Sequence, residues 1–120
     1  MKVLLVDDDA DLVGLMRRWL EREGHAVSHA ATGPAALEAL AADPLPDLVL
    51  LDVMLPRIDG FALLRRIRAD DRLRVLKVVM VTSFTRDQDV ARGMELGADD
   101  YIVKPLMEYP FLDRIARFVK

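Results

Sequence analysis

A chain of 120 residues suits one hydrophobic core, and 52% apolar with 31% charged residues is the make-up of an ordinary globular domain. A formal net charge of −3 offers no basic surface for nucleic acid, and the absence of cysteine excludes disulfides, thiolate metal sites and thiol nucleophiles. The first apolar run, Val3 to Val6, is too short for a signal peptide or a membrane span, so a cytoplasmic protein is expected. No repeat, low-complexity tract or linker divides the chain, which reads as one domain over residues 1–120.

Lys2 to Val6 reads as a buried strand running into Asp7, Asp8 and Asp9. Leu12, Leu15, Met16 and Trp19 then recur at helical spacing, with Arg17, Arg18, Glu21 and Arg22 off that stripe and Gly24 as the stop. His25 to Ala30 alternates weakly and predicts a short second strand. Thr32 and Pro34 open a second helix as cap and first-turn residue; Leu37 and Leu40 carry its apolar side, and Pro44 and Pro46 end it. Leu48 to Leu51 is apolar without alternation, the pattern of a strand buried on both faces, and it ends on Asp52. After a loop from Val53 to Asp59, Gly60 begins a third helix with Phe61, Leu64 and Ile67 inward. Lys77 to Val81 is a fourth strand ending on Thr82 and Ser83, and Asp87 to Leu96 is a weakly apolar helix closed by Gly97. Tyr101 to Val103 is a fifth strand leading into Lys104 and Pro105. The last helix shows Leu112, Ile115, Ala116 and Val119 at the helical period, and Pro110 belongs in its first turn, since a mid-helix proline costs about 3 kcal/mol.

Strands alternating with helices predict an α/β fold: a doubly wound five-stranded parallel sheet, helices on both faces, in the flavodoxin-like strand order 2-1-3-4-5. In that order the first, third, fourth and fifth strands are neighbours. Their C-terminal ends, where open α/β sheets bind ligands, bring Asp7, Asp8, Asp52, Thr82 and Lys104 to one rim.

An Asp closing an isolated strand ordinarily opens a turn. The company of Asp52 argues for chemistry instead. Three carboxylates in one cleft repel each other, and Mg²⁺, a hard cation that takes oxygen ligands, relieves this. Lys104 supplies a fixed positive charge and Thr82 a hydroxyl. A metal, a lysine and a hydroxyl around one carboxylate are what phosphoryl transfer requires. Other polar residues read more simply. Asp9 and Asp11 suit a helix start, and Leu12 stands where a calcium loop beginning at Asp7 would need glycine. His25 and His29 lack clustered partners and read as surface residues, whereas Met16 and Trp19 read as core. No Walker-type glycine loop is present.

Val6-Asp7-Asp8, Leu51-Asp52 with Pro56 and Gly60, Val81-Thr82-Ser83, and Gly97-Ala98-Asp99-Asp100-Tyr101 running into Lys104-Pro105 occur in this order at these strand ends. Together they resemble the receiver domain of two-component response regulators, over essentially the whole chain. The resemblance implies that Asp52 is the phospho-acceptor and that Asp8 binds Mg²⁺ directly, with Asp7 acting through water and Met54 through its backbone carbonyl. It implies that Thr82 hydrogen-bonds the attached phosphoryl group, that Lys104 pairs with a phosphoryl oxygen, and that Tyr101 is an aromatic switch turning inward when Thr82 moves. A cis Lys104–Pro105 bond is also implied. The implied partner is a sensor histidine kinase or a phosphotransfer protein, and the chain would catalyse its own Mg²⁺-dependent phosphorylation and dephosphorylation. Output would run through the fourth helix, fifth strand and fifth helix. There Arg92, Glu95, Asp99, Asp100, Arg114 and Arg117 rim Phe111 and Phe118, a pattern that suits a phosphorylation-dependent homodimer.

Three features depart from the family pattern: Arg57-Ile58 in a loop where small or apolar residues are commoner, Leu106 where Phe often stands, and Pro110. The stretch Leu96 to Tyr101 resembles receivers that precede winged-helix DNA-binding domains, and no output domain lies within the 120 residues. Two other functions compete. One is a haloacid dehalogenase-type aspartyl-phosphate hydrolase with Asp7 as nucleophile, but it leaves Asp52 idle and lacks an acidic pair after Lys104. The other is a pseudo-receiver that is never phosphorylated, which would ordinarily lack one of the residues present here.

Overall fold

The computed structural model describes residues 1–119. The strands are β1 (Lys2–Val6), β2 (Ala26–Ala30), β3 (Leu48–Leu51), β4 (Lys77–Thr82) and β5 (Asp100–Val103). The helices are α1 (Ala10–Arg22), α2 (Gly33–Leu40), α3 (Gly60–Ala69), α4 (Asp87–Glu95) and α5 (Glu108–Ala116). All strand pairs are parallel, in the order β2-β1-β3-β4-β5. This is the flavodoxin-like order expected from the alternation of strands and helices.

The apolar strands are unbroken because both faces of the sheet are covered. Side chains alternate across a strand, so each strand feeds two cores. Leu4, Val6, Val49, Leu51, Val78 and Met80 meet Leu40, Phe61, Leu64 and Ile67 on the side of α2 and α3. Val3, Leu5, Leu48, Leu50, Val79 and Val81 meet Val13, Met16, Trp19, Leu20, Phe111 and Ile115 on the side of α1 and α5. Trp19 and Phe111 join those two helices, with ring centroids 5.7 Å apart.

Local signals placed several element ends correctly. Thr32 Oγ1 accepts the Ala35 N–H at 3.1 Å, and Asp9 Oδ1 caps α1 by accepting from Leu12 N at 3.1 Å. Gly24 and Gly97 end their helices with φ of 87° and 103°. Pro110 lies in the first turn of α5, and the Lys104–Pro105 bond is cis.

Two helix phases differ from the expectation. In α1 the buried side chains are Val13, Met16, Trp19 and Leu20, while Leu12 and Leu15 are only half-buried beside them. In α5 the inward residues are Phe111 and Ile115; Ala116 is exposed, as is Val119, which lies beyond the end of the helix. Phe111, read from the sequence as an apolar group of the output face, is instead core, at 1% exposure. In both helices apolar residues cover more than half a turn. Periodicity then fits two stripes about equally, and the shape of the sheet face selects one.

Arg57 has φ of 72° in the loop between β3 and α3. A side chain in the left-handed region costs roughly 1–2 kcal/mol, part of which a glycine returns through the unfolded chain's entropy. Arg57→Gly is therefore expected to stabilise the fold by about 0.5–1 kcal/mol in urea denaturation. Equal or lower stability would show that the loop relaxes around Arg57 without strain.

Candidate functional site

The backbone ladder runs one peptide beyond the strands. Asp52 N donates to Val6 O at 3.0 Å, Asp7 N to Ala30 O at 3.1 Å, and Lys104 N to Thr82 O at 2.9 Å. Asp7, Asp52 and Lys104 are thus fixed by the sheet itself, although they lie outside it. Their side chains converge. Lys104 Nζ donates at 2.9 Å to both Asp7 Oδ2 and Asp52 Oδ2. One carboxylate oxygen from each of Asp7, Asp8 and Asp52 lies within 4.8 Å of the other two. The remaining oxygens of the buried pair are held by local turns: Asp7 Oδ1 accepts from Asp9 N at 2.9 Å and Asp52 Oδ1 from Met54 N at 3.2 Å.

Asp7 and Asp52 are 2% and 5% exposed, while Asp8 stands open to solvent. They border an open cleft of about 400 Å³ also lined by Asp9, Met54, Leu55, Ser83 and Lys104. The triad alone sets three carboxylates against one ammonium. Burial pushes the Asp7 carboxyl up, and hydrogen bonds from Asp9 and Lys104 only partly oppose it. Burial alone would lower Lys104, but its bonds to Asp52 and Asp7 and their charges outweigh that and raise it. The donors are all hard oxygens, with no nitrogen or sulfur ligand among them, and excess negative charge surrounds them. That chemistry fits a hard divalent cation.

A carboxyl whose folded pKa lies above its unfolded value destabilises the fold when ionised. The penalty is complete above the folded pKa and disappears as pH falls below the unfolded value near 3.8. Asp7→Asn is therefore expected to raise the metal-free melting temperature at pH 7. The gain should shrink in acid, and a lower melting temperature at pH 7 would refute the burial argument.

Thr82 is fully buried and does not border the cleft; Ser83 does. The Thr82 hydroxyl oxygen accepts from Phe84 N at 3.3 Å. Tyr101 is buried with its hydroxyl donating to Phe84 O at 2.6 Å, so both residues named for the switch hold the same short segment after β4. Burial, then the charges of Asp89 and Asp52, push the Tyr101 phenol up to about 12, which keeps it a donor at neutral pH. Gly93 makes this position possible, because a Cβ there would lie 3.1 Å from the Tyr101 ring.

Met54 borders the cleft and is 61% exposed. Asp9 is the helix cap that its position suggested. His29, set aside in the sequence as a surface residue, is exposed, yet its Nε2 lies 2.7 Å from the carbonyl oxygen of Asp7. The only sequence signal for it was its place at the end of a strand adjoining the acidic one.

A parallel sheet in this order, with an acidic triad and a lysine at its C-terminal rim, defines an α/β domain with a polar, acidic cleft at the mouth of its central strands. The sequence profile of the response regulator receiver domain matches residues 3–116, and the chain belongs to that family. It is 45% identical over 104 residues to the transcriptional regulatory protein AfsQ1 of Streptomyces coelicolor, covering 87% of this chain and 44% of that protein. It is 40% identical over 119 residues to the transcriptional regulatory protein CpxR of Escherichia coli, covering 99% of this chain and 49% of that one. The chain thus spans about half the length of these curated relatives. The BeF3-activated N-terminal receiver domain of Klebsiella pneumoniae RstA superposes with a TM-score of 0.90 at 32% identity, with full coverage of both chains. Phosphorylation signalling by a receiver domain is therefore the activity of this chain, and Asp7, Asp8 and Asp52 form the acidic pocket typical of its acceptor site.

Proposed function

We propose that Asp52 accepts a phosphoryl group from the phosphohistidine of a sensor kinase or phosphotransfer protein, and that Mg²⁺ is the cation required. The observation that carries this is the buried Asp52 carboxylate, set beside Asp7, Asp8 and Lys104 at the mouth of the central strand. An Asp52 oxygen attacks phosphorus in line, the donor's P–N bond breaks, and an acyl phosphate remains on Asp52. Mg²⁺, when bound, neutralises charge on the phosphoryl oxygens; Asp8 and Asp7 would hold it, with Asp52 and the Met54 carbonyl. Lys104 would move one of its hydrogen bonds to a phosphoryl oxygen. Thr82 would give up its place beside Phe84 N to donate to another, leaving Tyr101 to keep the space filled. A reaction with an intracellular kinase would place the domain in the cytoplasm; among the described residues no helix is long and apolar enough to cross a membrane. The test is incubation with acetyl phosphate, with and without Mg²⁺, read by intact mass. A single phosphoryl gain that requires Mg²⁺ is expected, and no gain in either condition overturns the reading.

The same Mg²⁺ should stabilise the fold, since the scattered carboxylates of the unfolded chain cannot bind it as well. Saturation at one hundred times the dissociation constant adds about 2.7 kcal/mol. Melting curves in millimolar Mg²⁺ should rise for wild type and not for Asp8→Ala. Equal rises in both would count against the site.

A homodimer on the face of α4, β5 and α5 would not rest on the charges that rim it. Arg114 donates to both Asp100 oxygens and to Tyr101 O, and Arg68 pairs with Asp99 at 3.0 Å, all within one chain. Arg92 lies over the Phe61 ring, 4.8 Å from its centroid. Apolar Val103, Met107 and Tyr109 are exposed on that side, at 38%, 68% and 73%, and suit a second copy better. Analytical ultracentrifugation with beryllofluoride should show a dimer in wild type that Tyr109→Glu loses. A monomer in every condition would leave this face to another partner.

A further inference from the structure

Asp8 is the one member of the acidic triad that nothing holds directly. Asp7 and Asp52 are buried, bonded to Lys104 and tied to backbone amides. The Asp8 carboxylate is exposed and makes no hydrogen bond or ion pair among the described residues. Its direction is therefore set by the backbone on either side. On the C-terminal side that backbone is pinned, because Asp9 N donates to Asp7 Oδ1 and Asp9 Oδ1 caps α1. On the N-terminal side lies the peptide between Asp7 and Asp8. Its carbonyl belongs to no strand or helix, and among the described residues no backbone N–H reaches it. His29 does, from the neighbouring strand β2, at 2.7 Å. A carbonyl only accepts, so Nε2 carries the proton in this bond.

We propose that His29 is a positioning residue for Asp8. A peptide group is planar, so fixing its carbonyl fixes the plane that leads into the Asp8 Cα and, together with the backbone pinned at Asp9, the direction in which the Asp8 Cα–Cβ bond leaves the chain. His29 sits beside Leu5 in the register of β1 and β2, and the next residue, Ala30, accepts the Asp7 N–H. Strand β2 thus grips Asp7 at both its N–H and its C=O, and only the second grip uses a side chain. The proposal rests on the reading of this cleft as a Mg²⁺ site, and it adds that a residue of the edge strand tunes the affinity. Groups that orient a metal ligand without touching the metal typically change affinity about tenfold or more when removed.

The test is isothermal titration calorimetry of Mg²⁺ into the metal-free 120-residue chain, alongside urea denaturation without metal. Wild type should bind, and Asp8→Ala should lose binding, which shows that the heat reports this cleft. His29→Leu removes the donor and should weaken Mg²⁺ roughly tenfold. His29→Gln keeps an N–H donor at similar reach and should recover most of that loss. The denaturation midpoints of the two His29 variants should agree, so that the affinity difference reports the hydrogen bond and not the stability of the strand. Wild-type affinity in His29→Leu overturns the positioning role, as does a His29→Gln variant no better than His29→Leu. A wild-type chain that binds no Mg²⁺ fails at the earlier step and overturns the Mg²⁺ reading together with this one.

Discussion

Asp52→Asn should abolish the single phosphoryl gain seen with acetyl phosphate and Mg²⁺, slowing it by at least about a hundredfold, because an amide cannot act as the nucleophile. Asp52 is 5% exposed and its backbone N–H lies in the sheet ladder, bonded to Val6 O at 3.0 Å. The replacement therefore keeps its position, and the loss isolates the chemistry. One oxygen survives to accept from Met54 N or Lys104, so the fold should persist. Intact-mass kinetics on both proteins decide the matter. A wild-type rate in the variant would mean that another carboxylate takes the phosphoryl group. Asp7 is the one to examine first, since Lys104 bonds it at the same 2.9 Å.

Gly60→Ala should be the most damaging conservative change away from the carboxylates. A Cβ on Gly60 would lie 2.1 Å from the carbonyl oxygen of Asp52 and 2.7 Å from the Cα of Val53. Both are backbone atoms, so no rotamer change relieves the overlap. Gly60 N also donates to Val53 O at 2.8 Å, which closes the loop that follows the acceptor strand. The chain must move at Asp52 or at the start of α3. A loss of about 2–3 kcal/mol in urea denaturation is expected from such overpacking. Phosphorylation should slow by roughly a hundredfold, the usual consequence of a reacting group displaced by about 1 Å. Gly14→Ala is the matched control. It lies on the exposed side of α1, nothing comes within 4 Å of its added Cβ, and removing a helix-interior glycine should stabilise by about 0.5–1 kcal/mol. Equal stability in the two variants would show that the loop after β3 is free to shift.

The sequence by itself determined what depends on neighbours along the chain. Leu48 to Leu51 carries apolar side chains without alternation, and only a strand covered on both faces accommodates that, so the parallel sheet was legible from one short run. Strand alternation with helices and the handedness of crossovers then left few orders to consider. Because a strand ends where its apolar run ends, Asp7, Asp52 and Lys104 could be assigned to one rim before any contact was known. Caps and stops such as Thr32, Asp9 and Gly24 act within three or four residues and were equally plain.

Tertiary structure alone decided what depends on distance through space. The buried stripe of α1 passes through Val13 and Leu20, and that of α5 through Phe111, because the sheet face chose among apolar residues that periodicity ranked alike. Arg114 and Asp100 looked like surface charges open to a partner, and are bonded to each other because α5 packs beside β5. Gly60 read as a helix start, yet its missing Cβ makes room for the carbonyl of Asp52, eight residues earlier in the chain. His29 offered no motif at all. Its bond to Asp7 spans 22 residues and exists only because β2 lies beside β1, a pairing that a hydrogen bond can use and a sequence pattern cannot record.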